Sequence, residues 1–121
     1  MREEIYKLLS ENTELTTIVG TNIYFLLLPE NFDMSNTGMF FNVSKGEQIK
    51  DLSGFVLQTE YNLSITIVSM LSTILMNVAD TIENILDAEY DQDVTDYVIG
   101  EITYDAEFNT NVLEINFTIT K

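Results

Sequence analysis

The chain has 121 residues, and its 20 acidic and 5 basic side chains give it a formal net charge of −15. It is 45% hydrophobic and contains 7 Phe and 6 Tyr, so it is long and apolar enough to form one domain spanning residues 1–121. It has no His and no Cys, which excludes imidazole-based triads, thiol nucleophiles, disulfides and His/Cys zinc sites. The negative charge also disfavours direct binding of nucleic acid, because proteins hold the phosphate backbone with Lys and Arg.

The first third of the chain predicts a helix, a short second helical turn and a strand. Apolar residues at helical spacing near the N-terminus predict the helix, and Thr13 is the expected cap of the turn that ends at Gly20. The apolar run at residues 23–28, closed by Pro29, predicts the first strand. It is the longest unbroken apolar run and is far short of the roughly 20 residues that a membrane span requires. We therefore expect neither a membrane segment nor a secretory signal.

The middle of the chain predicts two further strands. Residues 31–37 form a polar loop, and the alternation at residues 39–44 predicts the second strand. Residues 46–54, bounded by two glycines, predict a polar turn or flexible loop. Residues 55–68 then alternate between apolar and polar, and at about 3.3 Å per residue they span roughly 46 Å. A strand of that length is expected to bend or to overhang the sheet.

The last part of the chain predicts a long helix and a closing hairpin. Apolar residues recur at helical spacing over residues 71–86, an acidic connector follows at residues 87–96, and two alternating strands end the chain. Gly100 is expected to mark a bulge. The order α-β-β-β-α-β-β predicts an α+β two-layer sandwich with a mostly antiparallel sheet and both helices on one face. The other face of the sheet is then either polar or covered by a neighbour.

Few residues qualify as site candidates. The acidic connector, with Asp87, Glu89, Asp91, Asp93 and Asp96, is either a solvated turn or a weak Ca²⁺ or Mg²⁺ contact, because it lacks the Gly and Glu positions of a calcium-binding loop. There is no glycine-rich phosphate loop, and no pocket for a coupled carboxylate pair is identifiable. We therefore expect no enzymatic activity, no cofactor and no dedicated metal site.

Aromatic and basic residues near the first two strands are the candidates for an interface. Tyr24, Phe25 and Phe40 are expected on the faces of their strands that point away from the core. They are either ordinary exposed aromatics or part of a surface for a partner, where aromatics are enriched. Lys45 and Lys50 are grouped with Tyr24 and Phe40 as candidates for a contact with another subunit or a partner.

The segment "LSENTELTTIVGTNIYFLLLPEN" resembles the opening of the tail-completion, or tail terminator, proteins of bacteriophages with long non-contractile tails. In that family a first helix ends in a turn with a glycine and passes directly to an "Ile-Tyr" strand followed by a proline. The residues in those places are Ile18, Val19, Gly20, Ile23, Tyr24 and Pro29. The later order of a long strand, a helix and a closing hairpin is also similar, so the resemblance spans nearly the whole chain. The stretch near the second strand departs from the family, because it is polar and has a single Lys.

The resemblance implies a structural role in the virion. Such proteins form a ring, typically a hexamer, that caps the tail tube, ends its growth and presents a surface to the head connector while DNA passes through. A channel for DNA should not hold its cargo, so Asp91, Asp93 and Asp96 are the candidates for an acidic lining. The expected location is the tail or neck of the virion, with the host cytoplasm as the place of assembly.

The charge and the alternatives lead to separate expectations. Six copies at −15 each repel one another, so we expect a monomer at low salt and ring formation with salt, divalent cations or a tube end. The alternatives are a head-completion or tail-tube protein, an acidic inhibitor that mimics DNA, and an acidic enzyme. A tube protein polymerises without stopping, a mimic binds a nucleic-acid enzyme, and an enzyme requires a deep pocket with paired carboxylates.

Overall fold

The computed structural model describes residues 1–121, which form three helices and six strands. The helices are α1 (Arg2–Glu11), α2 (Thr13–Val19) and α3 (Ser72–Tyr90), and a single 3-10 turn covers Asp91–Asp93. The strands are β1 (Ile23–Phe25), β2 (Gly38–Lys50), β3 (Val56–Ser69), β4 (Val94–Ile99), β5 (Thr103–Asp105) and β6 (Thr110–Thr120). No helix is both long and apolar enough to cross a bilayer.

The strands form one sheet in the order β1-β2-β3-β6-β4, and β5 continues the β4 edge beside the first residues of β6. All neighbouring strands run antiparallel except β1 and β2, which are parallel. Gly100 separates β4 from β5, and its N–H still donates to the Glu114 carbonyl at 2.9 Å. A Cβ at Gly100 would lie 2.9 Å from that carbonyl oxygen. Between the Ile99–Ile115 and Thr103–Val112 pairs the outer edge has three residues and β6 has two, so the expected irregularity is present at this glycine.

The helices pack on one face of the sheet and enclose a core of 20 buried residues. On β3 the alternation puts Leu63, Ile65 and Ile67 into this core, while Ser64 and Thr66 point to the opposite face. The longest helix, α3, buries residues at i, i+3, i+4 and i+7 spacing, from Leu75 to Leu86. The predicted α+β fold with a mostly antiparallel sheet is confirmed.

Two details of the helices differ from the prediction. The helical turn after α1 is a helix in its own right, so three helices rather than two cover the sheet. Its cap is Asn12 rather than Thr13, because the Asn12 Oδ1 accepts the Leu15 N–H at 2.9 Å. The predicted acidic connector, residues 87–96, is divided among the end of α3, the 3-10 turn and the start of β4.

The prediction for the first two strands was wrong in its bounds. β1 ends at Phe25, because Leu26 takes a left-handed conformation with φ of 73° and the chain turns away. The segment expected as a polar loop at residues 46–54 is largely strand, since β2 continues to Lys50. The turn is confined to residues 51–55, where Gly54 supplies a φ of 86°.

Candidate assembly surfaces

The face of the sheet that carries no helix is lined mainly by uncharged polar side chains. The strand registers place four charged residues on this face of β3, β6, β4 and β5, and all four are carboxylates: Glu60, Asp96, Asp105 and Glu114. The Ser64 hydroxyl donates to the Glu114 carboxylate at 3.2 Å, and the Thr118 hydroxyl donates to the Asn62 Oδ1 at 3.4 Å. This face, which we call the bare face, is therefore hydrated and acidic rather than apolar.

Tyr24 and Phe40 lie side by side on the bare face, as the alternation predicts. They are register partners in the parallel β1–β2 pair, and both are half-buried. The ring of Phe32 packs edge-on against Tyr24, with 6.0 Å between the ring centres, and the Tyr24 hydroxyl donates to the Asn22 Oδ1 at 3.0 Å. Phe25 is the exception to the prediction, because it points to the helix side and contacts Phe41 edge-on.

Both outer edges of the sheet are largely unpaired. β1 covers β2 only from Met39 to Phe41, so the edge of β2 is free from Asn42 to Lys50. On the opposite side, β4 and β5 form the outer edge and have no further neighbour. Free backbone donors and acceptors along a strand edge are able to pair with a strand of another chain.

The most prominent projection is the hairpin of residues 45–58, which we call the arm. β2 and β3 pair with each other as far as Lys50 and Val56, whereas β6 ends beside Thr59, so the arm extends beyond the sheet as a two-stranded ribbon. Five large apolar side chains on it are exposed: Ile49, Leu52, Phe55, Val56 and Leu57. Leu52 at the tip is fully exposed, and exposed apolar side chains grouped in this way are typical of interaction surfaces.

The tip of the arm is a hydrogen-bonded turn. The Asp51 carboxylate accepts the N–H groups of Ser53 and Phe55, each at 2.9 Å, and the Asp51 N–H donates to the Phe55 carbonyl at 2.9 Å. These bonds fix the direction in which Leu52 and Phe55 point. Lys45 and Lys50, the two basic interface candidates, both lie on the arm and are exposed.

A shallow apolar groove of about 440 Å³ lies on the helix side of the sheet, at the point where β1 stops covering β2. It is lined by Tyr6, Phe25 and Phe41, with Arg2 and Glu3 at its rim. The Arg2 guanidinium lies 4.6 Å from the centre of the Phe25 ring, a cation–π distance. Leu26 and Leu27, the next residues after Phe25, are exposed.

The three acids predicted to line a channel are exposed but do not form one cluster. Asp91 and Asp93 lie in the 3-10 turn at the end of α3, and Asp96 lies on the bare face of β4, where it accepts the Tyr97 N–H at 2.9 Å. No group of three or more carboxylates in the chain is arranged to hold a metal ion. Their role in a channel stays a prediction.

A small polar cluster joins the two ends of the chain. Tyr90, which is 7% exposed, donates its hydroxyl to the Glu4 carboxylate at 3.2 Å, and the Lys121 ammonium lies 3.2 Å from the same oxygen. The hydrogen bond from Lys121 lowers the pKa of Glu4, and burial together with the Glu4 charge raises the pKa of Tyr90. The cluster fixes α1 against α3 and the end of β6, so its role is structural.

Comparison with solved structures finds the same fold in a virus-like particle. The chain superposes on a chain of a structure described as "Virion of native gene transfer agent (GTA) particle" with a TM-score of 0.61. The two share 13% sequence identity, and the match covers 96% of this chain and 90% of the other. At that identity the likeness shows the fold. No family model matches the chain. No curated protein matches it either.

Proposed function

We propose that this chain is a structural protein of a phage-type virion and that it assembles as a ring on the end of a tail tube. The observation that carries the proposal is the fold, which over 96% of the chain is that of a chain in a gene transfer agent virion. The order of elements independently resembles that of tail terminators. The proposed role is one of assembly and not of catalysis.

The surfaces of the monomer fit a ring subunit. A ring requires each copy to present two different surfaces that fit its two neighbours. The free edge of β2 and the β4–β5 edge are on opposite sides of the sheet, and the arm adds an apolar projection. These features suit contacts with further copies, and six copies are the number that the resemblance implies.

The charge distribution fits a channel through which DNA moves. On β3, β6, β4 and β5 the bare face has carboxylates and no Lys or Arg, so it repels the phosphate backbone and does not retain it. We assign Asp96, which lies on this face, to the lining of that channel, and we place Asp91 and Asp93, in the 3-10 turn that precedes β4, at its margin. The remaining partners are the tail tube protein and the head connector, and the protein's place is the virion, which it reaches from the host cytoplasm.

Growth of tail tubes tests this proposal. Purified tube protein is allowed to polymerise with and without this chain, and the tubes are imaged. A terminator appears as one extra ring at a tube end and stops elongation at substoichiometric amounts. Continuous incorporation along the tube would instead favour a tube protein, and absence from the tubes together with unchanged growth would refute the proposal.

A further inference from the structure

We infer that the tip of the arm on one copy docks into the apolar groove beside Phe25 on the next copy. The inference rests on the proposed function, because it names the contact that joins neighbours in the proposed ring. It concerns two surfaces that are both accessible in the monomer: the tip with Leu52 and Phe55, and the groove lined by Tyr6, Phe25 and Phe41.

The arm is the one projecting part of the molecule that carries no net charge. Residues 45–58 contain two cations, Lys45 and Lys50, and two anions, Glu47 and Asp51, which sum to zero. The rest of the chain contains 3 basic and 18 acidic residues, since 5 − 2 = 3 and 20 − 2 = 18, and therefore carries all of the −15. A neutral apolar arm can approach another acidic copy without the repulsion that two acidic surfaces experience.

The groove complements the tip in shape, and neither surface carries a net charge. The tip is convex and presents Leu52 and Phe55, while the groove is concave and about 440 Å³ in volume, enough for a large side chain. At the rim, Arg2 and Glu3 form an exposed ion pair at 3.8 Å, so the rim carries no net charge. At the tip, Lys50 precedes Asp51, so the tip is also neutral and docking brings no net like charges together.

The two surfaces cannot meet within one molecule. The groove includes Phe41 and the tip begins after Lys50, so about nine residues of continuous strand, roughly 30 Å, separate them. A contact between different surfaces of two copies is heterologous and leads either to a closed ring or to an open fibre. Tip-to-tip pairing would instead give a two-fold dimer and leave the groove empty.

Thiol crosslinking tests this contact, because the chain has no native cysteine. The variant combines Glu3→Cys at the exposed rim of the groove with Ser53→Cys at the tip, which keeps the apolar residues of both surfaces. The control combines Ser53→Cys with Asp80→Cys, an exposed position on α3 away from the groove. Each protein is incubated in salt and Mg²⁺, treated with a short thiol-to-thiol crosslinker and run on a denaturing gel.

We expect a ladder of linked copies from the Glu3/Ser53 pair. The control pair and the two single variants, Glu3→Cys and Ser53→Cys, should give monomers and at most dimers. Three results would overturn the inference. The control pair could give a ladder as strong as that of the Glu3/Ser53 pair, Ser53→Cys alone could give dimers of the same strength, or the Glu3/Ser53 pair could give no crosslinked product. If the wild type forms rings in the microscope and the Glu3/Ser53 variant gives no crosslink, the inference is overturned and the proposed ring is retained. A strong crosslink in open fibres would support the contact and refute the ring.

A second pair of variants tests the energy of the contact. Leu52→Ser with Phe55→Ser removes two exposed apolar side chains, so folding is preserved and we expect the association constant to fall roughly tenfold or more. Leu71→Ser with Met76→Ser removes two exposed apolar side chains at the start of α3, outside the arm, the groove and the sheet edges, and is the matched control, for which we expect an unchanged association constant. Equal association constants for the arm variant and the wild type, measured by sedimentation, would overturn the inference.

Discussion

Replacing Ile65 by Ala tests the claim that the sheet has one buried face and one bare face. Ile65 is fully buried in the middle of β3, between Phe41 on β2 and Ile115 on β6. The change removes three carbon atoms, worth about 0.8 kcal/mol each in transfer free energy, and the cavity adds to this. We expect the free energy of unfolding to fall by about 3–4 kcal/mol.

The adjacent residue is the matched control. Thr66 is on the same strand but on the bare face, where no helix packs and where its hydroxyl has no partner in the chain. Thr66→Ala should therefore cost less than about 1 kcal/mol. Urea unfolding followed by circular dichroism, at low salt where we expect a monomer, gives both values. Equal costs at the two positions would show that the bare face is buried, and would refute the one-sided core.

Three further predictions follow from the charged groups and the arm. Lys121 lowers the pKa of Glu4, so the pair stabilises the fold at pH values above the pKa that Glu4 has in the unfolded chain, and this stabilisation is lost as the pH falls through the lower pKa of the folded state. Glu4→Gln should therefore lower the thermal midpoint slightly at pH 7 and not at pH 2. An equal effect at both pH values would contradict this. Sedimentation should give a monomer in 10 mM salt and larger species with 0.15 M salt or Mg²⁺, because the Debye length falls from about 30 Å at the lower salt to about 8 Å at the higher. Association that does not depend on salt would show that charge does not control assembly. Asp51→Ala should speed hydrogen exchange of the backbone amides at the tip of the arm without changing exchange at Ile65. Slowed or unchanged exchange at the tip would show that the Asp51 carboxylate does not hold the turn.

The parts of the fold with a clear period were predictable from the sequence. The alternation along β3 and the helical spacing along α3 each identify both the element and its buried face, because one side of each is apolar. The same alternation correctly placed Tyr24 and Phe40 together on the face away from the helices. Such local patterns match the folded structure because the core requires apolar side chains on one side of each element.

The arm was missed because its sequence contradicts its structure. Residues 46–50 contain Gly, Glu, Gln and Lys, which are typical of a loop, and no core selects one face of them. The strand forms there because β3 offers a long paired edge and Asp51 closes a tight turn. A signal was present in the length of β3, since an overlong strand requires a partner of similar length. The groove was not predictable, because it joins Tyr6, Phe25 and Phe41 from three separate elements.

Electron microscopy of the purified chain in Mg²⁺ tests the central claim most directly. The account predicts closed rings of uniform copy number that neither stack into tubes nor extend into fibres. Monomers under every condition, including in the presence of tail tubes, or open filaments in place of rings, would contradict it.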